Sequence, residues 1–292
     1  PTVKVSGDND KKYILAIDPN HANNSETADD FAMAVLELDE QSESGTLVHA
    51  YALPNSTNEK RALYLKYLLD KFNIVYIIVD NSGGPQFIQI AKDLKILSKN
   101  INLFEHDFLN PNQLEGITFT RENYSLNLGN IIHSQAFGVG GWLGSSNENL
   151  QWMIEKKKII FPSPIFHDSD LKAVVNEDFP INELHYSKVQ RFIENPSREM
   201  IEEQKIEFAE HLGDMISLTK KECTLIEIST NMNGHQQFGL PATMRRDNDP
   251  NKARRDSYTA LLLGSWGVKC YFDLMREKTV VQEFDFSPRM FR

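Results

Sequence analysis

Two continuous apolar runs, each closed by an aspartate, constrain this chain more than any other feature: Tyr13-Ile14-Leu15-Ala16-Ile17-Asp18 and Ile74-Val75-Tyr76-Ile77-Ile78-Val79-Asp80. A run of this length without polar alternation reads as a strand covered on both faces, deep in an α/β sheet. The closing charge then falls where core meets solvent. In open α/β sheets, active sites gather at the carboxyl ends of the strands. If the two strands are parallel neighbours, Asp18 and Asp80 lie side by side, and facing carboxylates repel unless a cation or a proton sits between them. A divalent-metal site is the sharpest expectation. The competing reading is that each aspartate only ends its strand and opens a turn.

Nothing in the composition opposes a large α/β core. The 292 residues are 40% hydrophobic and 25% charged, enough for a sizeable core in one or two domains. No apolar stretch reaches the roughly 18–20 residues of a membrane span. Pro1-Thr2-Val3-Lys4-Val5 reads as neither a signal nor a transit peptide, and a start without methionine suits a fragment of something longer. Cys223 and Cys270 are too few for a disulfide scaffold and form no CxxC pair for zinc, so a reducing setting is expected. The net charge of −10 argues mildly against nucleic acid as partner. Charge distribution matters more than the sum. Basic residues bunch at Lys156-Lys157-Lys158, at Lys220-Lys221, and across Arg245, Arg246, Lys252, Arg254 and Arg255.

Three strands are expected first, over 13–18, 30–38 and 46–53, joined by short connections that favour an antiparallel meander. A helix over 57–72 leads to the fourth strand, 74–80. After Gly83-Gly84-Pro85 come a helix at about 86–98 and a strand over 101–106. The helical crossover lets strand four return parallel beside strand one, which would bring Asp18 and Asp80 together. Farther on, residues about 121–137 and 147–157 read as helical, separated by a glycine-rich loop (Gly138, Gly140, Gly141, Gly144). Residues 163–196 have no period and suit an insertion or a small hairpin. A helix follows the N-cap candidate Ser197, with Glu199, Glu202 and Glu203 early and Lys220-Lys221 late, in accord with the helix dipole. Cys223–Thr230 alternates like a strand, Asn233-Gly234 is a hairpin turn, and 235–240 is its return. The last helix is expected from Asp249-Pro250 to about Trp266.

The third acid is Asp256. On a helix starting near Pro250 it lies almost two turns in and shares a face with Ala260 and Leu263. A carboxylate on an otherwise small and apolar face points at the protein body. An ion pair with Lys252, four residues back, is the plainer alternative.

These residues carry a resemblance. Ala253-Arg254-Arg255-Asp256-Ser257-Tyr258-Thr259-Ala260-Leu261-Leu262 is similar to the "KDRYSALL" helix of the RNase H-like nuclease domain in the large terminase subunit of tailed phages, with Ser257 where arginine is common. Ile17-Asp18-Pro19 with Asp29-Asp30-Phe31-Ala32 resembles that family's first hairpin, and Val79 to Gly84 its second acid and glycine turn. Trp152 to Pro162 resembles its helix before an "I-x-x-P" strand, and Ser229 to Pro241 its late hairpin. The likeness spans almost the whole chain. It implies a mixed sheet, three antiparallel meander strands plus parallel ones, flanked by helices in one domain over 1–292. The family also carries an N-terminal packaging ATPase. No Gly-x-x-x-x-Gly-Lys-Ser/Thr phosphate loop occurs here, so the chain is expected to be the nuclease half alone.

What the resemblance implies is a metal-dependent endonuclease that cleaves concatemeric double-stranded viral DNA in the cytoplasm of an infected bacterium. The portal, the small terminase subunit and the ATPase half would be its partners. Two hard divalent ions can activate a water, hold in-line geometry and relieve charge on the leaving oxygen. Mg²⁺ and Mn²⁺ prefer carboxylate oxygens. Asp18 is assigned as bridging ligand, Asp80 to one ion and Asp256 to the other. Asp30, Asp247 and Asp249 are outer candidates, the last two equally loop or cap residues. Arg245, Arg246, Lys252, Arg254 and Arg255 would hold phosphates in a sequence-independent, salt-sensitive contact.

Other readings carry less. His106-Asp107 and His167-Asp168 resemble the dipeptide of helical metal phosphohydrolases, yet His106 closes a strand-like run. His133 and His235 could be metal-adjacent or structural. Gly138-x-Gly140-Gly141 precedes no convincing helix N-terminus after a strand, so a loop flanking DNA or a plain turn is expected rather than a nucleotide site. Trp142 and Trp152 suit the core. Beside the terminase-type nuclease stand another RNase H-like nuclease, such as a junction resolvase or transposase, and a catalytically silent module that docks DNA or a motor partner.

Overall fold

The computed structural model describes residues 3–19, 31–53, 57–99, 102–105, 131–137, 141–162, 202–230, 236–241 and 255–283. In chain order the elements are β1 (Tyr13–Asp18), β2 (Phe31–Asp39), β3 (Ser44–Leu53), α1 (Asn58–Lys71), β4 (Ile74–Asp80), α2 (Gly84–Asp93), β5 (Asn102–Glu105), β6 (Ile131–Gln135), α3 (Trp142–Glu155), β7 (Ile159–Ile160), α4 (Glu202–Leu225), β8 (Glu227–Thr230), β9 (Gln236–Gly239) and α5 (Asp256–Glu283).

The expected meander forms: β1 pairs antiparallel with β2, and β2 with β3. Through α1 the chain crosses to β4, which lies parallel to β1. Seven strands follow the order β5-β6-β4-β1-β2-β3-β7, with β6 parallel to both β4 and β5, and β7 parallel to β3. The two Asp-ended strands are therefore central neighbours. Their apolar residues are covered on both faces, as the unbroken runs require. β8 and β9 form a separate antiparallel pair.

Side chains alternate across a strand with a period of two, so Ile14, Ala16 and Asp18 share one face, and Tyr76, Ile78 and Asp80 likewise. Helix α5 covers that face, packing on β1, β2, β3 and β4. It approaches closely through two glycines. A Cβ on Gly264 would stand 2.5 Å from Leu36 Cδ1 and 3.4 Å from Ala16 Cβ; one on Gly267 would stand 3.1 Å from Ile14 Cγ2 and 3.2 Å from Ile78 Cγ2. Gly267 thus sits over Ile14 and Gly264 over Ala16, so α5 runs opposite to β1. Its N-terminus extends toward the end where Asp18 emerges. On the other face, Phe31 meets Phe87 of α2 edge-on at 4.9 Å and takes the Arg61 guanidinium of α1 over its ring at 5.0 Å. Tyr51 stacks on Tyr64 of α1 at 4.5 Å.

Several element assignments differ from the sequence expectation. The described part of 121–137 is not helical: Ile131–Gln135 is strand β6, and 121–130 lies outside the described residues. Helix α2 stops at Asp93 rather than near 98. Helix α3 begins at Trp142, five residues before the expected start, because Gly141 takes φ 73° and turns the chain into it. Helix α4 continues through Cys223 to Leu225, where a strand was expected, and β8 begins only at Glu227. Burial of Thr219 and Glu222 against the body keeps that helix going. Helix α5 begins at Asp256 and runs to Glu283. Trp152 is not core: it is 51% exposed, whereas Trp142 is buried against Phe137 and Trp266.

Candidate active site

The β1–β4 register places the first two acids. The last printed pair is Ile17 with Val79, and each is followed directly by its aspartate. β4 is flanked on its other side by β6, where Asp80 pairs with Gln135. The turn after Asp80 is tightly tied. Ser82 N–H donates to Asp80 Oδ1 at 3.1 Å, an Asx turn that orients the carboxylate. Asn81 N–H donates to Gln135 O at 2.8 Å, and Ser134 Oγ donates to Asn81 Oδ1 at 2.9 Å. Gly83 then adopts φ 91°, which only glycine enters at no steric cost, and opens α2.

Asp256 arrives from the opposite end of the chain. It is the first residue of α5, not two turns in, so its carboxylate lies at the positive end of the helix dipole. Asp80 and Asp256 are both 6% exposed. Asp18, Asp80 and Asp256 line one cleft of about 420 Å³, together with Ser82, Arg255, Thr259 and the apolar side chains of Phe137, Leu143, Phe238, Tyr258 and Leu262. The sheet end therefore gathers three carboxylates and one guanidinium in a recess with an apolar flank. Arg255 reaches across it, with one guanidinium nitrogen donating to Phe238 O of β9 at 3.4 Å. Tyr258 donates its phenol to Asn147 Oδ1 of α3. Burial pushes that phenol well above its usual range, so it stays a donor.

Carboxylate oxygens are the donors a hard divalent ion prefers, and the cleft supplies three carboxylates. Among the described residues, however, no group of three or more His, Cys, Asp or Glu side chains could by itself hold a metal ion. The acids share a recess without forming one closed ligand group.

Asp30, Arg245, Arg246, Asp247, Asp249, Lys252 and Arg254 lie outside the described residues, as do His106, His167, His235 and 163–196. His133 is a sheet residue, 2% exposed, with Nδ1 2.7 Å from the Tyr76 hydroxyl and no place on the cleft wall. The sequence reading did not single out Ser82, Phe137, Leu143, Phe238, Thr259 or Leu262. Ser82 and Thr259 had a local signal, lying two and three residues from an assigned acid. No helix of the described residues is long and apolar enough to cross a membrane.

An antiparallel three-strand meander with a fourth strand parallel to the first, and helices on both faces, is the RNase H-like α/β fold. No protein-family model matches the chain, and no curated protein sequence matches it. Among solved structures it is similar to the large terminase nuclease from thermophilic phage G20c, at 11% identity and TM-score 0.43, covering 89% of this chain and 83% of that one. The same nuclease with bound magnesium gives 11% identity and a TM-score of 0.40 over the same shares. The large terminase nuclease domain of bacteriophage SPP1 with bound manganese gives 10% identity and a TM-score of 0.31, covering 87% of this chain and 84% of that one.

Proposed function

We propose that this chain is a divalent-metal-dependent DNA endonuclease of the terminase large-subunit type, folded as one RNase H-like domain. The observation that carries the reading is the presence of Asp18, Asp80 and Asp256 in one cleft with Arg255. Bound Mg²⁺ or Mn²⁺ would activate water and neutralise charge on the phosphodiester. With two ions, Asp18 would be shared, Asp80 would serve one and Asp256 the other, so no single ion would need all three carboxylates. Arg255 steadies the DNA backbone, a contact that carries no sequence information. The apolar flank of Leu143, Phe137 and Phe238 limits water at the reacting phosphate.

Cleavage of concatemeric viral DNA during packaging, in the cytoplasm of the bacterial host, is the role this chemistry serves. The portal, the small subunit and a packaging ATPase domain are the proposed partners. Arg245, Arg246, Lys252 and Arg254 are proposed to extend the DNA contact, and Asp30, Asp247 and Asp249 to lie near the ions. A second reading, a silent RNase H-like module that docks DNA or a motor partner, is favoured by one observation: no ready-made group of three metal ligands exists among the described residues.

Plasmid nicking with Mn²⁺ separates the two. The nuclease reading expects cleavage by the wild type, abolished by chelator and by Asp18→Ala or Asp256→Ala. Absence of cleavage by the wild type favours the silent module instead, and undiminished cleavage by the alanine variants overturns the assignment of the three acids.

A further inference from the structure

The third acid sits on a helix whose first turn is met, among the described residues, by an acceptor from another helix. Arg255, which precedes Asp256, has only donors and cannot accept from the first-turn amides of α5. The acceptor comes from another helix. Glu222 of α4, 3% exposed, receives the Tyr258 N–H on its Oε2 at 2.7 Å. A carboxylate at that point also meets the positive end of the helix dipole. Tyr258 is held at its other end by Asn147 of α3, whose own amide is fixed by donating from Nδ2 to Leu143 O at 2.7 Å. The turn that carries Asp256 is thus tied to α4 through its backbone and to α3 through a ring. Tyr258 lines the cleft and Glu222 does not.

We infer that Glu222 is a positioning residue for Asp256: its bond to Tyr258 N–H fixes the depth and rotation of the first turn of α5, and with them the place of the third carboxylate beside Asp18 and Asp80. The inference rests on the proposed metal-dependent reading of the cleft. Glutamine at 222 keeps an oxygen that can accept the same amide, whereas alanine removes it. A residue that acted only on global stability would not distinguish these two variants in metal affinity per folded molecule.

The test uses the full chain, with Mn²⁺ titrated calorimetrically well below the melting range and exchange of the Tyr258 amide followed by NMR. Glu222→Ala is expected to weaken Mn²⁺ binding by about 10-fold or more and to speed Tyr258 exchange. Glu222→Gln is expected to stay within about 3-fold of the wild type in both. Leu212→Ala, a core truncation in the same helix, controls for lost stability; it lowers the melting temperature but leaves Mn²⁺ affinity unchanged. Wild-type affinity in Glu222→Ala, or an equal loss in Leu212→Ala, overturns the inference alone. A wild type that takes up no Mn²⁺ overturns the metal-site reading and the inference with it.

Discussion

Asp18 and Asp80 each follow directly on a member of the pair Ile17–Val79, so two carboxylates leave adjacent parallel strands at one level. Asp256 joins their cleft from the first turn of α5. Three acids in one recess repel one another, which sets function against stability. Asp80→Asn keeps an oxygen to accept Ser82 N–H but loses the charge. Its DNA cleavage is expected to fall at least about 10³-fold. Its melting temperature in chelator is expected to rise by about 2–4 °C, the equivalent of about 1 kcal/mol. Calorimetry of both proteins in EDTA checks the second half.

Arg255 is the described cation of the cleft wall. If it contacts a phosphate, Arg255→Ala weakens binding evenly across DNA sequences and lowers the salt slope, log Kd against log salt, by about 1. Fluorescence anisotropy on two unrelated duplexes over a salt series measures both. A change confined to one duplex would show base readout instead.

Close approach of α5 to the sheet orders three glycine substitutions. Gly264→Ala must displace buried Leu36 against a helix-propensity gain of about 1 kcal/mol, for a net loss of about 1 kcal/mol. Gly264→Val adds further bulk and is expected to cost about 3 kcal/mol. Gly267→Ala meets only slightly tight contacts and should be near neutral. Urea unfolding of the three variants tests the order, and Gly267→Ala proving the worst would refute the packing described.

His49 predicts a pH dependence. It is fully buried, with Nδ1 3.0 Å from Lys4 O and its other ring nitrogen paired with the Tyr64 hydroxyl. Burial lowers its pKa to about 4. The unfolded chain, with a pKa near 6.5, binds the proton first as pH falls, so the contribution to stability is complete above about pH 6.5. It is lost on descending to about pH 4, to the extent of about 3 kcal/mol. Unfolding free energies at pH 7, 6 and 5 should decline, and His49→Phe should flatten that decline while lowering the value at pH 7.

Strands with an apolar signature were legible from sequence, and those without it were not. β1 and β4 announce themselves as continuous runs, and the short loops between β1, β2 and β3 leave little but a meander. β6 reads Ile131-Ile132-His133-Ser134-Gln135, and the last three are buried polar residues, with His133 Nδ1 on the Tyr76 hydroxyl, Ser134 Oγ donating to Asn81 Oδ1 and Gln135 Nε2 donating to Ala136 O. Tertiary contacts there override a pattern that looks helical. Cys223 to Thr230 alternates by chance: its first residues belong to α4, held by contacts that no local period encodes. Asp18 and Asp80 could be paired by sheet logic alone. Asp256 could not, because its place depends on Gly264 and Gly267 letting α5 lie close along the strands. Glu222 left no trace, since its partner is 36 residues away on another helix.

The close seat of α5 on β1 joins residues from opposite ends of the chain. During synthesis the first two acids leave the ribosome long before the third exists. The cleft cannot close around a partial chain, and a truncated or half-folded product carries two carboxylates with no third. If the proposed function holds, a chain assembled in this way is born inert and becomes competent to cut only when α5 docks.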